Sequence, residues 1–261
     1  MNPGRPEALE RGGKRNIRLL LAYDGTDFSG WQRQEGTRTV QGTLESALEG
    51  LHKQKISLIG SGRTDAGVHA AGQVAHFYTH IRTIPPERFV PALNRLLPQD
   101  IRVLGAQESC FDFHARFDAK SRTYRYYLIC GRPGLPQELR YAYQLWRHPR
   151  IDRLNSYARL FKGELDCSVF AQSRDPSNSR SRYIFGACFF IQGNMLVFEI
   201  TANAFLWKMI RSILGTLLHY EEQGLSIEDF KAILRSGDRS LAGPTVPPQG
   251  LFLWNIVYYR R

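Results

Sequence analysis

Gly60-Ser61-Gly62-Arg63-Thr64-Asp65-Ala66-Gly67-Val68-His69, running on as AAGQVAHF to Phe77, is the stretch on which the fold and the chemistry of this chain turn. Its glycines, Gly60, Gly62 and Gly67, let the backbone turn sharply and admit a ligand closely. They bracket one carboxylate, Asp65, and one guanidinium, Arg63. A carboxylate beside permanent positive charge stays ionised at neutral pH, which suits a nucleophile better than a general acid. The plainer reading is a tight loop stapled by an Arg63–Asp65 ion pair, and from composition alone that is the commoner case. No Gly-Lys-Ser/Thr follows the glycines, which excludes a P-loop. An aspartic-protease reading fails as well: it needs two carboxylates sharing a proton, and in the comparable triplet Asp24-Gly25-Thr26 the glycine is misplaced.

Working outward, Gln73–Tyr78 reads as a strand. Ile17–Tyr23 (IRLLLAY) reads as a buried strand ending in the turn signal Asp24-Gly25-Thr26. Val40, Leu44, Ala47/Leu48 and Leu51 recur at helical spacing and place one apolar stripe. Further strands are predicted at Ile56–Gly60, Ile101–Gln107 and Thr123–Cys130, and a helix over Pro86–Leu97. Gly131–Pro136 (GRPGLP) then breaks the pattern, as a boundary or a long exposed loop. Beyond it, Ile151, Leu154, Ala158 and Phe161 space a helix. Tyr183–Ile191 and Met195–Thr201 pair around Gln192-Gly193-Asn194, and Asn203–Leu218 reads as a mostly buried helix. Ser226 caps a further helix that Gly237 ends, and Leu251–Tyr259 is a final strand. Strands and helices mix in both halves, so the fold class is α+β around a sheet. The expected organisation is a basic tail over 1–15, an N-terminal half over 16–135 carrying the Asp65 loop, and a C-terminal half over 136–261.

With 261 residues, 43% hydrophobic and 23% charged, the chain is neither disordered nor a collagen-like or coiled-coil rod. Its 35 Lys and Arg against 24 Asp and Glu leave a net charge of +11, which favours nucleic acid, a phosphate-rich ligand or an anionic membrane. Arginine supplies 28 of those cations, a bias that suits bidentate phosphate contacts and that an Arg-rich genome would also produce. Cys110, Cys130, Cys167 and Cys188 form no CxxC pair and read as small buried hydrophobes, not a zinc or redox site. The opening residues hold no apolar signal segment, and the apolar run Phe205–Leu218 is interrupted by Lys208 and Arg211. A cytoplasmic location without membrane contact is the expectation. His69 and His76 show no metal spacing and read as structural.

GRTDAGVHAAGQVAHF (Gly62–Phe77) resembles the catalytic motif of the TruA-type tRNA pseudouridine synthases. Other stretches agree in order: LAYDGTDFSGWQRQ (Leu21–Gln34), TVQGTLESAL (Thr39–Leu48), RTYRYYL (Arg122–Leu128), AFLWKMIRSILG (Ala204–Gly215) and GPTVPPQGLFL (Gly243–Leu253). The resemblance covers nearly the whole chain after the tail. It implies isomerisation of uridine to pseudouridine in the anticodon stem–loop of tRNA, typically at positions 38 to 40, without metal or organic cofactor. It also implies a pseudouridine synthase fold of two pseudo-symmetric, ferredoxin-like α+β halves sharing one continuous, mostly antiparallel sheet, a basic cleft between them, and a homodimer.

By the same resemblance Asp65 is the catalytic aspartate. The target base is stacked in its stem–loop and must be flipped out before attack. Arg63 falls where a side chain fills the vacancy; its planar guanidinium stacks and contacts phosphate better than a lysine would. Along the predicted strand Arg122–Tyr127, Tyr124 and Tyr126 share one face while Arg125 and Tyr127 share the other. Such a stripe is usually core. The resemblance instead makes Tyr124 the tyrosine that stacks on the target base and takes a proton, and leaves Tyr126 in the core. Leu251 falls where an apolar side chain meets the other side of the uracil. Arg211 lies in an otherwise apolar helix, where an unpaired guanidinium would be costly, so a carboxylate partner is expected, and the resemblance supplies Asp65. Lys208, three residues earlier, shares that helical face or snorkels to solvent. Two other functions stand beside this one: a catalytically inactive RNA-binding protein of the same fold, and an aspartate-dependent hydrolase of a phosphorylated ligand. The joint presence of Asp65, Tyr124 and Arg211 argues against the first, and the lack of a second acidic cluster for metal against the second.

Overall fold

The computed structural model describes residues 13–172, 175 and 177–258. The expected basic tail lies mostly outside them. The described residues divide into two compact units, one of residues 13–120 and 255–258, the other within Ser121–Trp254.

In the first unit β1 (Arg15–Tyr23), α1 (Val40–His52), β2 (Ile59–Gly60), β3 (His69–Thr79), α2 (Phe89–Leu96) and β4 (Ile101–Ser109) follow one another. The strand order is β4-β1-β3, with β2 beside β3, and these pairings are antiparallel. Ile17, Leu19 and Leu21 alternate along β1 and are fully buried, whereas Leu20 between them is exposed, the period-2 signature of a sheet covered on one face. The cover is helical: Phe77, opposite Ile17 in the register, packs edge-on against Phe89 of α2 and His52 of α1. Thr39 caps α1 by accepting the Gly42 N–H, and Val40, Leu44, Ala47 and Leu48 are its buried stripe, as the spacing predicts. The strand predicted over Ile56–Gly60 shrinks to Ile59–Gly60. Side chains of α1 take its first backbone groups, with Gln41 Nε2 donating to the Leu58 carbonyl at 2.9 Å and Glu45 Oε1 accepting the Leu58 N–H at 3.1 Å. Arg15, the last residue of the expected tail, opens β1 and donates to the carbonyls of Ile81 and Ile84.

The second unit contains β5 (Ser121–Cys130), α3 (Pro136–Leu139), β6 (Tyr143–Leu145), α4 (Ile151–Ala158), β7 (Gly163–Asp166), β8 (Ser181–Gln192), β9 (Met195–Ala202), α5 (Met209–Glu222), α6 (Ile227–Ser236) and most of β10 (Leu251–Val257). Its strand order is β10-β5-β9-β8-β7, with the short β6 parallel to β5. β8 and β9 form the predicted hairpin, closed by Gly193-Asn194 with Gly193 at φ 63°. Ser226 caps α6 reciprocally with Asp229, and Gly237 ends it. Phe230 of α6 stacks on Tyr157 of α4, with ring centroids 4.7 Å apart. The Gly131–Pro136 stretch connects β5 to α3 inside this unit.

Strands with helices packed on them in each unit make this the α+β protein that the sequence leads one to expect. Two local expectations are corrected. The helix over Asn203–Leu218 starts only at Met209, because Lys208 adopts a left-handed conformation, and it runs on to Glu222; Lys208 is therefore not on the helical face of Arg211. Of the four free cysteines only Cys167 is buried, while Cys110, just past the end of β4, and Cys188, on an outward position of β8, are exposed.

Candidate active site

Asp65 sits on the connection from β2 to β3, and the first unit ties that connection down residue by residue. Ser61 N–H donates to the Val74 carbonyl at 2.8 Å, and the buried Gln73 side chain donates to the Gly62 carbonyl at 2.8 Å. The Thr64 carbonyl accepts the Trp31 N–H at 3.0 Å, and its hydroxyl shares a 2.8 Å hydrogen bond with the Tyr23 phenol in a buried setting. Val68 N–H returns to the Asp65 carbonyl at 3.2 Å, closing a turn over Ala66-Gly67. Gly67, at φ 76°, occupies the third position of that turn, where a left-handed residue is required. From the other side the segment Gly25–Trp31 forms a collar, with Gly67 N–H donating to the Phe28 carbonyl. A Cβ on Gly30, itself at φ 91°, would lie 2.7 Å from the Thr64 carbonyl oxygen, so only glycine permits this approach. His69, fully buried at the end of the loop, accepts the Gly25 N–H on Nδ1 at 3.0 Å. Asp24 Oδ1 approaches the same Nδ1 at 3.2 Å.

Within this frame the Asp65 side chain is half-buried and Arg63 is exposed. The loop is held through its backbone and through Thr64, with the Arg63 side chain at the surface.

The other candidate residues belong to the second unit. Tyr124 and Tyr126 share one face of β5, as their spacing predicts. Tyr124 is 7% exposed and meets Phe205 edge-on, with centroids 5.2 Å apart. Tyr126 is fully buried and its phenol donates to the Pro247 carbonyl at 2.7 Å; burial pushes that phenol far above the usual tyrosine range. Arg211, on the first turn of α5, donates through Nε to the Val246 carbonyl at 2.7 Å. Tyr126 and Arg211 thus clamp consecutive carbonyls of the 243–250 loop. Leu251, 5% exposed, follows that loop as the first residue of β10 and returns its N–H to Pro248 at 2.9 Å. Among the described residues no three His, Cys, Asp or Glu side chains are grouped to hold a metal, and no helix is long and apolar enough to cross a membrane.

A family model described as tRNA pseudouridine synthase matches residues 20–118 and 157–259, which include the Asp65 loop, α5 and the 243–250 loop. The chain belongs to the tRNA pseudouridine synthase family. Proteins of this family are isomerases that make pseudouridine in tRNA. Relatives agree over nearly the full length. A tRNA pseudouridine synthase A of Treponema denticola is 54% identical over 250 residues, covering 94% of this chain and 93% of the relative. That of Treponema pallidum strain Nichols is 52% identical over 235 residues, covering 88% and 84%. That of Caldicellulosiruptor saccharolyticus is 41% identical over 245 residues, covering 94% and 100%.

Sequence alone assigns no role to the residues that hold the loop. Tyr23, Gly25, Gly30 and Trp31 all lie in LAYDGTDFSGWQRQ, and the signal present there was the pair of glycines flanking a short aromatic segment. Gln73 reads in sequence only as a polar residue in a strand, although it is fully buried.

Proposed function

We propose that this isomerase acts on uridines of the anticodon stem–loop of tRNA, at positions 38 to 40, with Asp65 as its catalytic carboxylate. The observation that carries the reading is the contrast within one loop: a backbone pinned at Ser61, Gly62, Thr64 and Val68, beside an accessible Arg63 and a half-buried Asp65. A reactive group held on a rigid frame meets a substrate atom without reorganising.

The reaction breaks the N1–C1′ bond of the uridine, turns the ring and joins C5 to C1′. C5 loses a proton and N1 gains one, so atoms and electrons balance within the substrate. Asp65 serves at the sugar or at the base, and its charge suits either. Extrusion of the base leaves a gap in the stack, which the Arg63 guanidinium fills while contacting phosphate. Tyr124 stacks on the extruded ring and takes the C5 proton, Leu251 meets the ring's other face, and Arg211 balances the charge of the catalytic carboxylate. No metal or organic cofactor is assigned. The four free cysteines fit a reducing, cytoplasmic setting, and a homodimer is assigned from the family resemblance.

Mapping pseudouridines in tRNA from cells with and without this protein tests the reading. Loss confined to positions 38 to 40 is expected. Loss only at other positions would overturn the anticodon assignment.

A further inference from the structure

Neither Trp207 nor Lys208 is used by the proposed reaction. Trp207 is 42% exposed on the irregular segment that leads into α5, and Lys208 takes a left-handed backbone conformation at φ 57°. A residue with a side chain is held there only where its surroundings enforce it. Just before it, the backbone is held by Asp175, a buried residue whose carboxylate accepts the Trp207 N–H on Oδ2 and the Ser177 N–H on Oδ1 at 2.8 Å. Arg180 Nη1 lies 3.5 Å from the same Oδ1. Burial alone would raise the Asp175 carboxyl, but the bonds from Trp207 and Ser177 and the charge of Arg180 outweigh it and keep it below the usual carboxylate range.

A buried anion is thus committed to fixing the backbone of an indole that faces solvent. A lone surface tryptophan is ordinary; one seated by a buried carboxylate next to a left-handed lysine is not. The Lys208 ammonium lies 4.8 Å from the Trp207 ring centroid and occupies one face of the indole. Arg180 and Arg182 both lie within electrostatic reach of Asp175. Phe205, on the same short segment, packs against Tyr124, so one piece of backbone carries both Tyr124's ring partner and the exposed indole.

We propose that Trp207 and Lys208 form an RNA-binding corner, in which the free face of the indole stacks on an unpaired base and Lys208 contacts a neighbouring phosphate, with Asp175 as the residue that positions them. The proposal rests on the tRNA substrate assigned above and adds a contact to it. Stacking on an aromatic face tolerates any base, so the corner contributes affinity without reading sequence.

The test measures binding of unmodified tRNA by fluorescence anisotropy at one fixed salt concentration, with circular dichroism as the check on folding. Trp207→Ala should weaken binding by about 5- to 150-fold, the loss of one stacked base, and Trp207→Phe should recover most of it. Lys208→Gly keeps the left-handed backbone without cost and should lower the salt slope by about one phosphate contact. Asp175→Asn should weaken the wild type yet add little to Trp207→Ala, because it acts through the indole. Binding of a folded Trp207→Ala or Trp207→Ala/Lys208→Gly chain within about twofold of wild type overturns the corner. So does equal loss from Asp175→Asn in both backgrounds, or a smaller oligomer on Trp207→Ala, which would assign the indole to self-association. A wild-type chain that does not bind tRNA overturns the substrate assignment itself, whereas wild-type binding indifferent to Trp207 overturns only the corner.

Discussion

Tyr23→Phe removes one oxygen from the frame under Asp65 and leaves the buried Thr64 hydroxyl without its 2.8 Å partner. Tyr23 is 4% and Thr64 8% exposed, so water does not readily replace the bond. A buried polar group deprived of its partner costs about 1–3 kcal/mol, against a total stability of about 5–15 kcal/mol for a typical domain. The variant should fold, with a melting temperature lower by about 2–10 °C for a chain of this size. Thr64→Val should cost a similar amount. Removing both polar partners together should cost less than the two single changes added, leaving a coupling energy of about 1–2 kcal/mol. Thr64 immediately precedes Asp65, and its carbonyl bond to Trp31 persists in both variants, so the loop stays formed while its corner drifts. Misplacement of a reacting group by about 1 Å costs up to about 100-fold in rate. Single-turnover pseudouridine formation in Tyr23→Phe should therefore fall by about tenfold or more, with tRNA affinity nearly unchanged. Wild-type turnover in Tyr23→Phe, or strictly additive stability losses in the double variant, would refute the idea that Tyr23 and Thr64 act as one support.

Three further outcomes are expected. Burial and the neighbouring His114 push the fully buried His76 imidazole down to about 4, so between that value and the unfolded value of about 6.5 the unfolded chain binds the extra proton. Stability should then be greatest above pH 6.5 and fall by up to about 3 kcal/mol towards pH 4; His76 ring resonances titrating near pH 6.5 in the folded protein would refute this. Tyr124→Phe should hold tRNA with wild-type affinity while turnover falls by about 100-fold or more, and full activity would restrict Tyr124 to stacking. Binding of tRNA should weaken steeply with salt, and Arg63→Ala should reduce the log–log slope by about one; a flat plot for the wild type would remove phosphate contacts from the account.

The sequence made some of this legible and hid the rest for physical reasons. The α1 stripe from Val40 to Leu48 and the Ser226–Gly237 helix were readable because periodicity and caps are local properties. The Ile56–Gly60 strand was overread because hydrogen bonds from Gln41 and Glu45, far away in sequence, satisfy Leu58 in place of a strand ladder. The start of α5 was misplaced because nothing in Ala204–Lys208 announces that a buried Asp175 holds Trp207 out of the helix. Asp65 stood out as a carboxylate among glycines, but its frame did not. Gly25 and Gly30 look like ordinary turn residues until a Cβ at either position is seen to collide with the backbone of Val68 or Thr64. Tyr126 and Tyr124 differ by one strand repeat, and only the bond from Tyr126 to Pro247 marks it as a clamp on the 243–250 loop.

Asp65 is proposed to perform the chemistry while the rest of its loop presents it. Asp65→Asn keeps nearly the same shape and removes the charge, so one experiment addresses that claim most directly: pseudouridine formation and tRNA affinity measured side by side for the two proteins at equal folded concentration. No detectable pseudouridine is expected from Asp65→Asn, with tRNA still bound. Turnover above a trace in that variant would contradict it.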